Sequence, residues 1–199
     1  MEFREVLETR KSFHSFEDRN VERSSIEEAV EVARRAPSAW NVQPWKLFIL
    51  ESEEKMRTAV KTSYGQEWML EADKICVVAG DREFRGVERA FEDMIDKGYR
   101  SEDEAEEEKE MVEGYRNRSP GWKELELTSN CIFFASDLIE ALWSRGIGTC
   151  PVKGFDQEQL GEELDLDSYY PVLLLPVGYP DGEKDRKYRK EAGEILEFL

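Results

Sequence analysis

The chain has 199 residues, with 45 acidic against 28 basic side chains, a formal net charge of −17 and 40% hydrophobic content. That is enough apolar material for one substantial core, no Ser/Gly-rich linker divides it, and a single domain over residues 1–199 is expected. The acidity excludes a general nucleic-acid or anionic-membrane surface, no apolar run nears the roughly 18 residues of a membrane helix, and the first residues lack a signal peptide's basic start, so a cytoplasmic protein is expected.

Residues 2–9 place Phe3, Val6 and Leu7 at helical spacing and lead into Arg10-Lys11-Ser12-Phe13-His14-Ser15-Phe16, where Arg10, Ser12 and His14 share one face if the backbone is extended. Ser25 with Glu27 and Glu28 behind it reads as a capped helix start, running through Ala29, Val30, Val32 and Ala33 to about Arg35. Residues 36–45, Ala-Pro-Ser-Ala-Trp-Asn-Val-Gln-Pro-Trp, follow. Pro37 and Pro44 stiffen the segment and hold Ser38, Asn41 and Gln43 on fixed backbone. It is either a ligand loop or a proline-bounded connection whose tryptophans belong to the core.

Residues 46–50 and 75–79 are β-prone, the second apolar throughout as a strand covered on both faces would be, and residues 53–62 read as the helix between them. Residues 82–118 are strongly acidic and suggest one or two solvated helices. Residues 125–145 form a long apolar helix ended by Gly146. Another helix begins at Asp156, and residues 170–175 are a buried strand that closes the sheet of a mixed α+β sandwich. Cys76, Cys131 and Cys150 are odd in number and widely spaced, which argues against a disulfide framework or zinc site and for buried thiols. One His and no HExxH argue against a transition-metal centre, and Gly146-Ile147-Gly148 is too short for a dinucleotide fingerprint.

The cations two apart at Arg10 and again at Lys187-Tyr188-Arg189 suit a dianionic phosphate. With these, residues 37–45, the run Gly146-Ile147-Gly148-Thr149-Cys150-Pro151-Val152-Lys153-Gly154-Phe155-Asp156, and Leu175-Pro176-Val177-Gly178-Tyr179-Pro180, the sequence resembles the FMN-dependent nitroreductase family in order and over nearly the whole chain. The resemblance implies an α+β, three-layer α/β/α sandwich with a central mixed, mainly antiparallel sheet. It also implies an intertwined homodimer, with the long helix at the interface and the C-terminal tail reaching the other subunit.

The same resemblance assigns roles. Arg10, Lys11, Ser12, Lys187 and Arg189 would hold the FMN phosphate and ribityl chain. Pro37, Ser38, Ala39 and Asn41 would line the ring from the opposite subunit. Gln66 would meet the pyrimidine edge. Val152, Lys153 and Gly154 would pack their backbone on the ring, with the Lys153 N–H aimed at N5 and no room for a Cβ at Gly154. His14 departs from the family's usual Arg or Lys near N1 and can supply that charge only when protonated.

The implied activity is ping-pong hydride transfer from NADH or NADPH through flavin N5 to an acceptor such as a nitroaromatic or quinone, with no side chain needed as obligatory acid or base. Phe91, Met94, Tyr99, Tyr115 and Trp122 either line the acceptor pocket or pack beneath an exposed helix. The alternatives are another flavin chemistry on the same fold, reductive dehalogenation or flavin fragmentation, and a non-catalytic FMN carrier. The short span between the first strand and the next argues against the long lid of halotyrosine dehalogenases.

Overall fold

The computed structural model describes residues 1–116, 121–182, 185 and 187–199; the side chains of Tyr115 and Arg116 lie outside the described set. Seven α-helices are seen among these residues: α1 Phe3–Thr9, α2 Arg23–Ala33, α3 Glu53–Thr62, α4 Gly86–Asp96, α5 Glu102–Arg116, α6 Trp122–Trp143 and α7 Gln157–Glu163. The strands are β1 Trp45–Leu50, β2 Lys74–Asp81, β3 Gly148–Thr149 and β4 Tyr169–Gly178. None of the described helices is long and apolar enough to cross a membrane.

Among the described residues the sheet runs β1-β2-β4-β3 with every neighbouring pair antiparallel. Its parallel pairing is confined to an isolated bridge between Ser12 and Thr149. β2 is buried along its whole length because both of its faces are covered. Cys76 and Val78 point into a core shared with α2 and α6, while Ile75 and Val77 point into a second core with α3 and α7. The period-two alternation of a strand thus sorts one apolar run into two layers, giving helices on both sides of the sheet.

α2 starts earlier than the Ser25 signal suggests, capped at Glu22. Val21, fully buried before the cap, joins Ile26 in the same core, and Asp73 accepts the Val21 N–H at 2.8 Å. This hydrophobic clasp across the helix entry overrides the hydroxyl three positions in. The acidic excursion resolves into α4 and α5, and it is less solvated than its charge suggests. Val87, Ala90 and Phe91 of α4 are buried, and Val87 and Phe91 join Val42, Phe84, Ala105, Val112 and Leu127 in a third core.

Candidate functional site

The segment after α1 is fixed to the sheet edge by two buried phenylalanines, three positions apart. Phe13 is buried and stacks on Trp143 at 5.4 Å between ring centroids, and Phe16 is buried against Gly178. The Phe13 N–H donates to the Thr149 carbonyl at 3.1 Å, and the Trp143 indole N–H donates to the Thr9 hydroxyl at 2.9 Å. Ser12 and His14, the neighbours of inward-facing Phe13, are half-buried and exposed, and the bend at His14 breaks the alternation so that Phe16 turns inward as well.

Arg10, Lys11 and Ser12 line a cavity of about 350 Å³ together with Glu8, Asp185, Lys187 and Arg189. Two cationic stretches separated by most of the chain therefore meet around one space, with four cations against two carboxylates. On a chain of net charge −17 such a concentration suits a phosphate, which Arg meets with a planar fork and Lys with a point charge. A second cavity of about 400 Å³ shares Leu7, Arg10 and Arg189 with the first and adds Ile132, Ser136, Ile139 and Glu140 of α6, with Pro151 and Lys153. Burial raises the Glu140 carboxyl above its ordinary value, Asp137 adds to the rise, and Arg10 opposes it.

The turn after β3 divides its groups between core and solvent. Val152 is buried, and its N–H and carbonyl are both committed to Leu174, at 2.8 and 3.0 Å, so this residue anchors the turn and offers no ring-facing donor. Lys153 and Gly154 are exposed. Among the described residues the Lys153 N–H donates to no protein group, which leaves it available to an outside acceptor. At Gly154 the expected steric demand is not made by the protein, since a Cβ there would meet only the Gln66 amide nitrogen at an ordinary 3.8 Å.

Gln66 uses that nitrogen to donate to the carbonyls of Ser63 and Gly154, at 3.2 and 3.1 Å. It ties the turn to the end of α3, so its amide N–H is a brace in this structure. His14 is exposed and stacks on Trp68 with centroids 4.1 Å apart.

The loop of residues 36–45 is strained. Trp40, Asn41 and Gln43 have φ of 48°, 56° and 49°, left-handed values that cost a non-glycine residue of order 1–3 kcal/mol. The loop is held by Asn130 of α6, whose buried side-chain oxygen accepts the Ala39 N–H at 2.8 Å, and by the Ser38 hydroxyl, which accepts the Gln43 N–H at 3.0 Å. The tryptophans follow the packing alternative: Trp45 stacks on Phe134 at 5.4 Å and Trp40 packs against the third core. Pro37, Ala39 and Asn41 remain exposed and Ser38 half-buried.

Within one chain, the loop and the cationic cavities lie on different sides of α6. The loop is bound at Asn130, whereas Ile132, Ala135, Ser136 and Ile139 line the second cavity. At about 100° per residue these four positions lie roughly 140–240° around the helix from Asn130, and Glu140, which also lines the cavity, lies about 80° from it.

Of the residues named for either an acceptor pocket or packing beneath a helix, Phe91 follows the packing alternative: it is fully buried in the third core, on the inward stripe that Val87, Ala90 and Phe91 form on α4. Met94 packs beside it. Tyr99 and Trp122 are exposed, and Tyr115 falls among the side chains outside the described set.

A model of the Nitroreductase family matches residues 7–179. A protein named NADH dehydrogenase from Thermus thermophilus is 25% identical over 175 residues, covering 87% of this chain and 84% of that one. Among solved structures, a nitroreductase family protein from Streptococcus pneumoniae superposes with a TM-score of 0.82 at 28% identity over 100% of both chains. A protein from Exiguobacterium sibiricum solved in complex with FMN superposes with a TM-score of 0.83 at 20% identity, over 100% of this chain and 98% of that one, a likeness of fold. Lys187 and Arg189 lie beyond the matched stretch, and it is the tertiary structure that brings them to Arg10.

Proposed function

We propose, from the premise that the chain belongs to the nitroreductase family, that it is an FMN-dependent oxidoreductase drawing hydride from NAD(P)H and passing it to an organic acceptor such as a nitroaromatic or quinone. The observation that carries this reading is the convergence of Arg10, Lys11, Ser12, Lys187 and Arg189 on one cavity. These donors fit the terminal phosphate of FMN, and the unbonded Lys153 N–H at the neighbouring cavity fits the ring's N5 edge. Bound FMN would supply the hydride chemistry at N5.

The chain's own work is placement and electrostatics. The cations fix the phosphate, and the Lys153 N–H would orient the ring. His14, stacked on Trp68, would hold or withhold a proton near N1. No general acid or base among the side chains is required.

The functional form is a homodimer in this reading, because the loop and the cationic cavities lie on different sides of α6 and one flat ring meets both only across two copies. Leu125, Ile132 and Phe133 of α6 are exposed, as are Ile195, Leu196, Phe198 and Leu199 of the tail. Apolar surface on that scale along one helix and one terminal segment suits burial against a second chain.

The test is anaerobic mixing of the purified protein with NADH and with NADPH, followed by a nitroaromatic or quinone. Bleaching of a bound flavin's absorbance and its return on adding the oxidant are expected, on a species of dimer mass. Colourless, monomeric protein that takes up no FMN at micromolar concentration overturns the reading.

A further inference from the structure

A groove of about 520 Å³ apart from those cavities runs between the strained loop and α4, lined by Arg34, Asn41, Gln43, Arg89, Asp93 and Lys97 among others. Three cations face one carboxylate there, on a chain of net charge −17. Arg34 and Lys97 are paired with Glu31 and Asp93, each at 2.7 Å, but all four side chains are about half exposed, so water screens these pairs and a ligand can compete for the cations. Arg89 makes no ion pair with any described residue.

The walls are fixed before any ligand arrives. Gly86, the first residue of α4, lies so close to the loop that a Cβ there would stand 2.1 Å from the Val42 carbonyl oxygen. The loop and α4 are therefore locked edge to edge, with the cations held at a set spacing.

We propose that this groove receives the phosphate groups of the nicotinamide dinucleotide, a proposal that rests on the reading of Asn41 and its neighbours as the loop facing the partner's flavin ring. A nicotinamide presented to that ring would extend its ribose and pyrophosphate past the loop, and Asn41 and Gln43 of that loop also line the groove. The donor is a polyanion approaching an acidic surface, so its binding calls for a local concentration of cations. No glycine-rich phosphate turn is present in the sequence to supply backbone donors, which leaves side chains to do so. Arg34, Arg89 and Lys97 are those side chains.

The test is steady-state kinetics of the flavin-loaded enzyme with a fixed quinone, comparing NADH, NADPH and 1-benzyl-1,4-dihydronicotinamide, which has the same reacting ring and no phosphate. Arg89→Ala and Arg34→Ala are each expected to raise the KM for the dinucleotides roughly tenfold with kcat within about twofold. Both parameters for the benzyl compound stay within about twofold, and Arg89→Lys recovers most of the loss. A larger effect on NADPH than NADH assigns the 2′-phosphate to the groove, and an equal effect assigns the pyrophosphate.

Unchanged dinucleotide KM values overturn the proposal. So does an equal rise for the benzyl compound. If wild type holds no flavin, or the benzyl compound fails to bleach it, the reading under Proposed function fails instead.

Discussion

Replacing Gly178 by alanine tests how the segment proposed to bind phosphate packs against the sheet edge. A Cβ at this position would lie 2.7 Å from Phe16 Cδ1, 3.0 Å from Cγ and 3.1 Å from Cβ, where apolar carbons prefer about 3.5–4.0 Å. Rotating the ring about χ2 relieves the first contact, and only a change in χ1 moves Cγ. The third involves an atom that neither χ1 nor χ2 moves, so the backbone of the segment must give way. Overpacking of this kind costs about 1–3 kcal/mol, and the stiffer unfolded chain returns about 0.4–1 kcal/mol. A net loss of about 1–2 kcal/mol is expected, read as a lower urea midpoint of the flavin-free protein at fixed protein concentration. Because Phe16 anchors the stretch carrying Arg10, Ser12 and His14, FMN affinity falls as well. Gly114, an exposed position of α5 with nothing within 4 Å of a Cβ, is the internal control: alanine there removes only a helix penalty and stabilises by about 0.5–1 kcal/mol. A Gly178→Ala protein unfolding at or above the wild-type urea concentration would falsify the packing argument.

Arg10→Ala removes a charge-assisted contact worth about 1.5–3 kcal/mol, so FMN binding weakens by at least about tenfold while riboflavin, lacking the phosphate, is held within about twofold; fluorescence titration with both ligands checks this. His14→Lys replaces a titrating group by a fixed cation and flattens the fall of the flavin midpoint potential between about pH 5.5 and 8, measured by redox titration; identical slopes rule out a role for His14 as proton carrier. Burial pushes the Asp81 carboxyl up, but the Arg85 guanidinium and the Arg85 and Glu83 N–H groups more than offset this, leaving it below its ordinary value. Its contribution is thus complete above the unfolded value of about 3.9 and lost as pH falls through the folded one. Asp81→Asn therefore lowers the urea midpoint at pH 7, by a gap that narrows as pH falls through the carboxyl's folded value. Burial pushes the Cys76 and Cys131 thiols up to about 12, so neither is alkylated by iodoacetamide at pH 8 until the chain unfolds, as mass spectrometry of the modified peptides will show.

What the sequence disclosed and what it withheld divide along the range of the interactions involved. The run 75–79 announced a strand covered on both faces because uniform apolarity is a local property, and Gly146 marked the end of α6, with its φ of 75°, for the same reason. β3 was invisible: two residues carry no period, and it forms only because β4 offers an edge. For Phe91 the sequence left pocket and packing both open, although its spacing with Val87 and Ala90 is that of an inward helix face. The close approach of Gly148 to Phe13 and of Gly178 to Phe16 had no signature either, since each ring sits more than a hundred residues from its glycine.

The cationic pairs were readable one at a time, as spacing, but their meeting around one cavity is a tertiary fact. The groove of Arg34, Arg89 and Lys97 had no signal at all, being made from one helix's end and another's flank. One consequence orders the rest. If, as proposed, two copies share each flavin site, a substitution that weakens their pairing should lower flavin affinity without touching a residue proposed to bind the flavin. Phe133→Asp, on the exposed face of α6, is the sharpest such change: it leaves the monomer's core intact, and dimer mass and FMN affinity are expected to fall together with protein dilution.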